Sequence, residues 1–153
     1  MNPKQYHIGI RNLTKSNKNM KIALDFHNFI LKNGKEFNEH LTLDYKKDPR
    51  ILKWTSNRKP QQSACYYNSQ LLALDNPELK YFEGTATTKK LGIPLEHGWC
   101  VFEGKVVDVT WKESGDEYFG IEVPVDFIRK RMVETEMSRD VLRDYYMKKR
   151  GIK

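Results

Sequence analysis

Cysteine is scarce in this chain of 153 residues, which holds two, Cys65 and Cys100. Two thiols cannot build a disulfide framework, and no Cys-x-x-Cys pair is present to seed a zinc site. Long apolar runs are missing as well: no stretch approaches the roughly 18 residues of a membrane-spanning helix, and the mean hydropathy is -0.74. The opening Met1-Asn-Pro-Lys-Gln-Tyr6 lacks the basic, then apolar, then small-residue order of a secretory signal. Both cysteines are therefore expected as cytoplasmic thiols, with no membrane partner. The nine glycines are scattered and make no phosphate-cradling loop, and no internal repeat is visible. What is present is 39% apolar and 12% aromatic residues, enough to form a core and to exclude wholesale disorder. The length suits a single domain over 1–153.

The net charge is +7, which raises the question of a nucleic-acid partner. Residues 1–60 carry 13 Lys+Arg against 5 Asp+Glu, residues 61–124 carry 5 against 10, and residues 125–153 carry 9 against 5. The positive charge thus lies on the two flanks, while the aromatic-rich middle is acidic. A nucleic-acid binder concentrates its cations where the ligand sits. The flanks read first as solvated helix faces.

Apolar spacing of three and four predicts a helix over 15–32, carrying Met20, Ala23, Phe26, Ile30 and Leu31, capped by Ser16 or Asn17 and followed by Gly34. Asp48-Pro49 reads as a breaker and residues 56–60 as a loop. A helix is expected from Ala64 to about Leu74 with Ser63 as its cap, then strands over 81–89, 98–102, 105–111 and 118–123. A helix is expected after Pro124, and a last one capped by Ser138 carries Val141, Leu142, Tyr145 and Tyr146. Glu83-Gly84 reads as a bulge or a point of close approach beside the helix. Helices, then an antiparallel sheet, then helices is an α+β order.

Cys65 falls in the first turn of its expected helix, where unpaired N–H groups and the helix dipole favour an anion, and a thiolate is the nucleophilic form of cysteine. Of the four histidines, His7, His27 and His40 lack an acidic partner at a telling spacing. His97 has one. The run His97-Gly-Trp-Cys-Val-Phe-Glu-Gly-Lys-Val-Val-Asp-Val-Thr-Trp111 reads as two strands joined at Glu103-Gly104. Trp99 then opposes Asp108 and His97 opposes Thr110, so Asp108 is the diagonal neighbour of His97 on one face. A carboxylate there fixes the imidazole tautomer and leaves the second nitrogen as a base. Glu96 and Cys100 fall on the other face.

A nucleophile on a helix N-terminus, then a base and its orienter on paired strands, resembles the papain-like and transglutaminase-like cysteine superfamily over residues 60–124. The most specific block is His97-Gly-Trp99 followed by Val107-Asp108-Val109-Thr110-Trp111, which is similar to the transglutaminase-core pattern of His-x-Trp, a hairpin and Asp-Pro-Thr, with Val109 standing where the family often has Pro. The resemblance implies an α+β core with the nucleophile helix packed on a small antiparallel sheet and flanking helices. It implies Cys65 as nucleophile, His97 as general base and acid, and Asp108 as orienter. For the oxyanion it points to Gln61 or Gln62 in papain-like fashion, or to Trp54 in the manner of transglutaminases, beside the backbone N–H of Cys65. The expected activity is that of a thiol hydrolase or acyltransferase acting on an amide, isopeptide or thioester of a protein or peptide, without metal or cofactor. The alternative is a basic module that binds nucleic acid or protein on an inactive thiol-protease-like scaffold, through Arg129-Lys-Arg131 and Lys148-Lys-Arg150.

Overall fold

Strand-forming sequence is concentrated between residues 80 and 123, and four of the five strands come from it. The computed structural model describes residues 1–15, 17–111 and 115–152. The strands are β1 Lys35–Asn38, β2 Lys80–Thr87, β3 Leu95–Phe102, β4 Lys105–Val107 and β5 Glu117–Val123, in the order β1-β5-β2-β3-β4 with every pairing antiparallel. Six α-helices occur among the described residues: α1 Pro3–Lys15, α2 Lys21–Asn33, α3 Pro49–Arg58, α4 Cys65–Asp75, α5 Val125–Thr135 and α6 Leu142–Lys149. The fold is mixed α+β.

The period-two alternation of strands divides the core in two. On one face Tyr81, Cys100, Phe119, Ile121 and Val123 pack against Ile30, Leu72, Ala73 and Ile128 of the helices. On the other, Phe37, Phe82, Trp99, Val101, Val106 and Tyr118 form a smaller aromatic cluster.

At the middle of the sheet the strands touch without side chains between them. A Cβ on Gly84 would stand 2.2 Å from the Phe119 carbonyl oxygen, and one on Gly120 would stand 2.6 Å from the Trp99 ring. The pairing runs in one register through this point. Of the two readings of Glu83-Gly84, the close approach holds, here of β2 to β5, and the bulge does not.

Several expected boundaries move. Helix α1 was not anticipated, because its buried residues are Pro3, His7 and Thr14, which leave no apolar stripe to read. The helix expected over 15–32 is a short 3-10 turn, Lys18–Met20, capped by Asn17, followed by α2; Ser16 lies outside the described residues. Asp48-Pro49 ends the short 3-10 turn Tyr45–Lys47, as expected of a breaker, and also starts a helix: the Asp48 carboxylate accepts the Arg50 N–H, and Pro49 occupies the first helical position, where its missing donor costs nothing. Helix α3 consequently runs through Ser56–Arg58 and leaves the expected loop only Lys59 and Pro60. Ser63 takes a left-handed conformation, φ 69°, and does not cap α4, which begins at Cys65 after Ala64. Ser138 does not cap α6; its hydroxyl donates to Gln70 Oε1, 2.8 Å.

Candidate active site

The hairpin of β3 and β4 turns at Glu103 and Gly104, both with positive φ, as a two-residue connection of this twist demands. Its register pairs Cys100 with Val107 and Phe102 with Lys105. The expected second strand over 105–111 stops at Val107. The reason is Asp108, whose Oδ1 accepts the Thr110 N–H at 3.0 Å and the Trp111 N–H at 3.3 Å, drawing those donors away from any ladder. The same turn leaves Oδ2 facing β3, where it meets His97 Nε2 at 2.8 Å and accepts the Tyr118 hydroxyl at 2.9 Å. Tyr118 Oη in turn accepts the Gly115 N–H.

His97 and Asp108 are 1% and 0% exposed. Burial by itself lowers a histidine pKa, but the charge and hydrogen bond of Asp108, with a further contribution from Cys65, lift that of His97 to about 9. Burial raises the Asp108 carboxyl, and the imidazolium together with the Thr110 and Tyr118 donors holds it below its ordinary range. The pair is thus an imidazolium facing a carboxylate at neutral pH. Trp111 lies flat on the imidazole, with ring centroids 3.9 Å apart and planes 18° from parallel, which favours the cationic ring.

Helix α4 brings the sulfur to this pair. Ser69 donates its hydroxyl to the Gly98 carbonyl at 2.8 Å, and Cys100 donates its thiol to the Ser69 carbonyl. These bonds clamp α4 on β3 beside His97. Gly98 has no side chain where Tyr66 and Tyr81 crowd in, which lets the helix lie close. Cys65, the first residue of α4, is half-buried and lies near enough to His97 to help raise its pKa. Because Nε2 is held by Asp108, Nδ1 is the ring nitrogen left for the thiol. Cys100 is the opposite case, fully buried, with burial pushing its thiol pKa far up.

The remaining residues named from the sequence are placed as follows. Gln61 and Gln62 are exposed, and Gln61 acts through its main chain, donating its N–H to Asn68 Oδ1 at 3.1 Å and accepting from Asn68 Nδ2 at 2.7 Å. The Trp54 indole N–H is committed to Asp75 Oδ2, 2.8 Å, and so is no oxyanion donor. His7 and His27 face each other through their Nδ1 atoms at 3.1 Å, on the helix-covered face, while His40 is exposed. Sequence reading did not give Tyr118 or Asn68 a role. The available signal for Asn68 was an amide among the residues of an otherwise apolar helix face, where a buried polar group needs a named partner.

A cavity of about 300 Å³ lies on the helix-covered face, lined in part by Tyr66, Glu83, Glu96, Asp140 and Arg143. Tyr66 and Glu96 are the chain neighbours of Cys65 and His97. The C-terminal basic flank is engaged within the molecule. Arg129, Lys130 and Arg131 pair with Asp126, Glu134 and Asp144, and Lys148, Lys149 and Arg150 sit over the rings of Phe127, Tyr145 and Tyr146. Among the described residues no three His, Cys, Asp or Glu side chains converge as a metal site, and no helix is long and apolar enough to cross a membrane. Compared with protein-family models, curated proteins and solved structures, the chain matches none.

Proposed function

We propose that the chain is a cysteine-nucleophile enzyme, with a papain-like or transglutaminase-like arrangement, that transfers an acyl group from an amide, isopeptide or thioester of a protein or peptide. The observation that carries this reading is the buried His97–Asp108 pair, 2.8 Å apart, with Cys65 near enough to contribute to the raised pKa of the imidazole. Cys65 Sγ attacks the carbonyl carbon as a thiolate. The oxyanion is met by the backbone N–H of Cys65, since the first N–H groups of a helix have no partner inside it. Collapse of the tetrahedral intermediate breaks the bond to the leaving group, which takes a proton from His97 and departs, leaving a thioester on Cys65. His97, now neutral, removes a proton from water or an amine; that nucleophile attacks the thioester, and Cys65 leaves as thiolate. Asp108 holds the ring orientation and its charge through both halves. The acidic lining near Tyr66 and Glu96 suits an acyl donor bearing a basic side chain.

The test is the rate of iodoacetamide alkylation at Cys65 as a function of pH. Cys65 is expected to react at pH 6–7 at least 10-fold faster in the wild-type chain than in His97→Ala, the buried Cys100 serving as the unreactive reference. No effect of His97→Ala would leave an inert scaffold. A binding module for nucleic acid is the reading less supported, given the internal pairing of the C-terminal cations at 129–131 and 148–150.

A further inference from the structure

Asn68 is 1% exposed and stands three residues after Cys65, on the nucleophile helix. Its side chain reaches two separate parts of the candidate site. Toward the loop that precedes the nucleophile it makes a two-point clamp on one residue, with Oδ1 accepting the Gln61 N–H and Nδ2 donating to the Gln61 carbonyl. Toward the hairpin, Nδ2 donates to Thr110 Oγ1 at 3.1 Å. The backbone N–H of that same Thr110 is bonded to Asp108 Oδ1, and Asp108 Oδ2 holds His97. A continuous path of hydrogen bonds therefore runs from the chain entering α4, through Asn68 and Thr110, to Asp108 and the imidazole.

We propose that Asn68 is a positioning residue that sets the nucleophile helix against the His97–Asp108 pair. Its hydrogen bonds fix where α4 starts relative to the turn at Asp108, and so fix the approach of Cys65 Sγ to the imidazole. The inference rests on the acyl-transfer reading of Cys65, His97 and Asp108. A small displacement of catalytic groups is costly, on the order of 100-fold for about 1 Å. Asn68 has its amide oxygen and nitrogen both engaged, which is how a buried amide is retained at low cost. An apolar replacement frees the Gln61 peptide and the Thr110 hydroxyl together.

The experiment measures the pH profile of Cys65 alkylation by iodoacetamide in the intact chain, beside wild type and His97→Ala. Three variants are compared: Asn68→Ala, Thr110→Val, which removes only the hairpin-side acceptor, and Thr110→Ser, which keeps it. Circular dichroism checks folding, and the Thr110 pair keeps the test decisive if Asn68→Ala does not fold. Expected are a loss of at least 10-fold in the Cys65 rate at pH 6–7 for Asn68→Ala, a smaller loss for Thr110→Val, and recovery in Thr110→Ser. In both defective variants the profile moves toward that of His97→Ala. Folded variants with wild-type rates and profiles, while His97→Ala remains defective, overturn the role of Asn68 and leave the acyl-transfer reading standing. A silent His97→Ala overturns that reading, and the role of Asn68 falls with it.

Discussion

Among the described residues two carboxylates are buried, one on each face of the sheet, and their environments drive them in opposite directions. Asp108, on the aromatic face, is 0% exposed and is held ionised below its ordinary range. Glu83, on the helix-covered face, is 3% exposed, and burial pushes it up to about 7. Both are well supplied with donors. Asp108 has the Thr110 and Trp111 N–H groups and the Tyr118 hydroxyl. Glu83 has the Val141 and Leu142 N–H groups, at the start of α6, and the Tyr81 hydroxyl. The difference is His97. Dipoles of equal number do not offset the loss of hydration of a buried anion in the way that an adjacent cation does. The comparison separates an anion kept for its charge from a carboxyl that anchors a helix.

The largest effect is expected on removing the charge of Asp108. In Asp108→Asn, the imidazole keeps its burial and loses its counter-ion, so its titration should fall from about 9 to below the ordinary 6.5. Unfolding at pH 6 should lose roughly 3–5 kcal/mol, as expected when one partner of a buried ion pair is removed. NMR titration of His97 and urea unfolding check both, and a His97 that still titrates near 9 would erase the distinction between the two carboxylates.

Next comes Glu83→Gln, measured as the pH dependence of the urea midpoint relative to wild type. A folded-state pKa raised from 4.5 to about 7 means that the native state binds the extra proton in that interval, so the Glu83 contribution to stability falls as pH rises from 4.5 to 7. The variant should gain on wild type across this window by up to about 3 kcal/mol. His97 acts in the same direction at higher pH. Its contribution is complete below 6.5 and is lost as pH rises through about 9. Asp108→Asn should therefore remove the wild-type decline between 6.5 and 9, whereas Glu83→Gln should leave that decline intact.

The smallest effects come from taking one phenol from each carboxylate. Tyr81→Phe and Tyr118→Phe each delete one donor, at about 1–2 kcal/mol. Tyr81→Phe should raise the Glu83 titration further, read by 13C NMR of the carboxyl, while Asp108 in Tyr118→Phe should stay ionised at pH 6 because His97 remains. A neutral Asp108 in that variant would show donors, not the cation, to be decisive.

The legible parts of this structure were those governed by short-range pattern. The two-residue turn at Glu103-Gly104 set the hairpin register, and with it the meeting of His97 and Asp108. The strand alternation placed Cys100 and Glu96 opposite His97. The illegible parts depend on long-range partners. Helix α1 buries a histidine and a threonine against the sheet, so its inner face does not look apolar. Helix α6 has no side-chain cap of its own because Glu83, far away in sequence, serves the N–H groups at its start. The Asp48-Pro49 pair ends the turn before it as expected, but the helix it opens carries no equally plain signal, because proline bars a helix interior and yet suits the first helical position. In the candidate site, Cys65, His97 and Asp108 carried spacing signals, whereas Asn68 offered only an amide on its helix face, and its partners Gln61 and Thr110 are set by the fold.

Gly120 and Gly84 sit beside His97 in a single row across β5, β2 and β3. Two successive seats next to the imidazole thus hold nothing but hydrogen, and the indole of Trp99 has settled over one of them. The space taken by that indole, and the tight seat of β2 against β5, are cut by omission, through side chains the protein does without. Saturation mutagenesis should accordingly find this bare row among the least forgiving places in the molecule, although neither glycine touches a reacting atom.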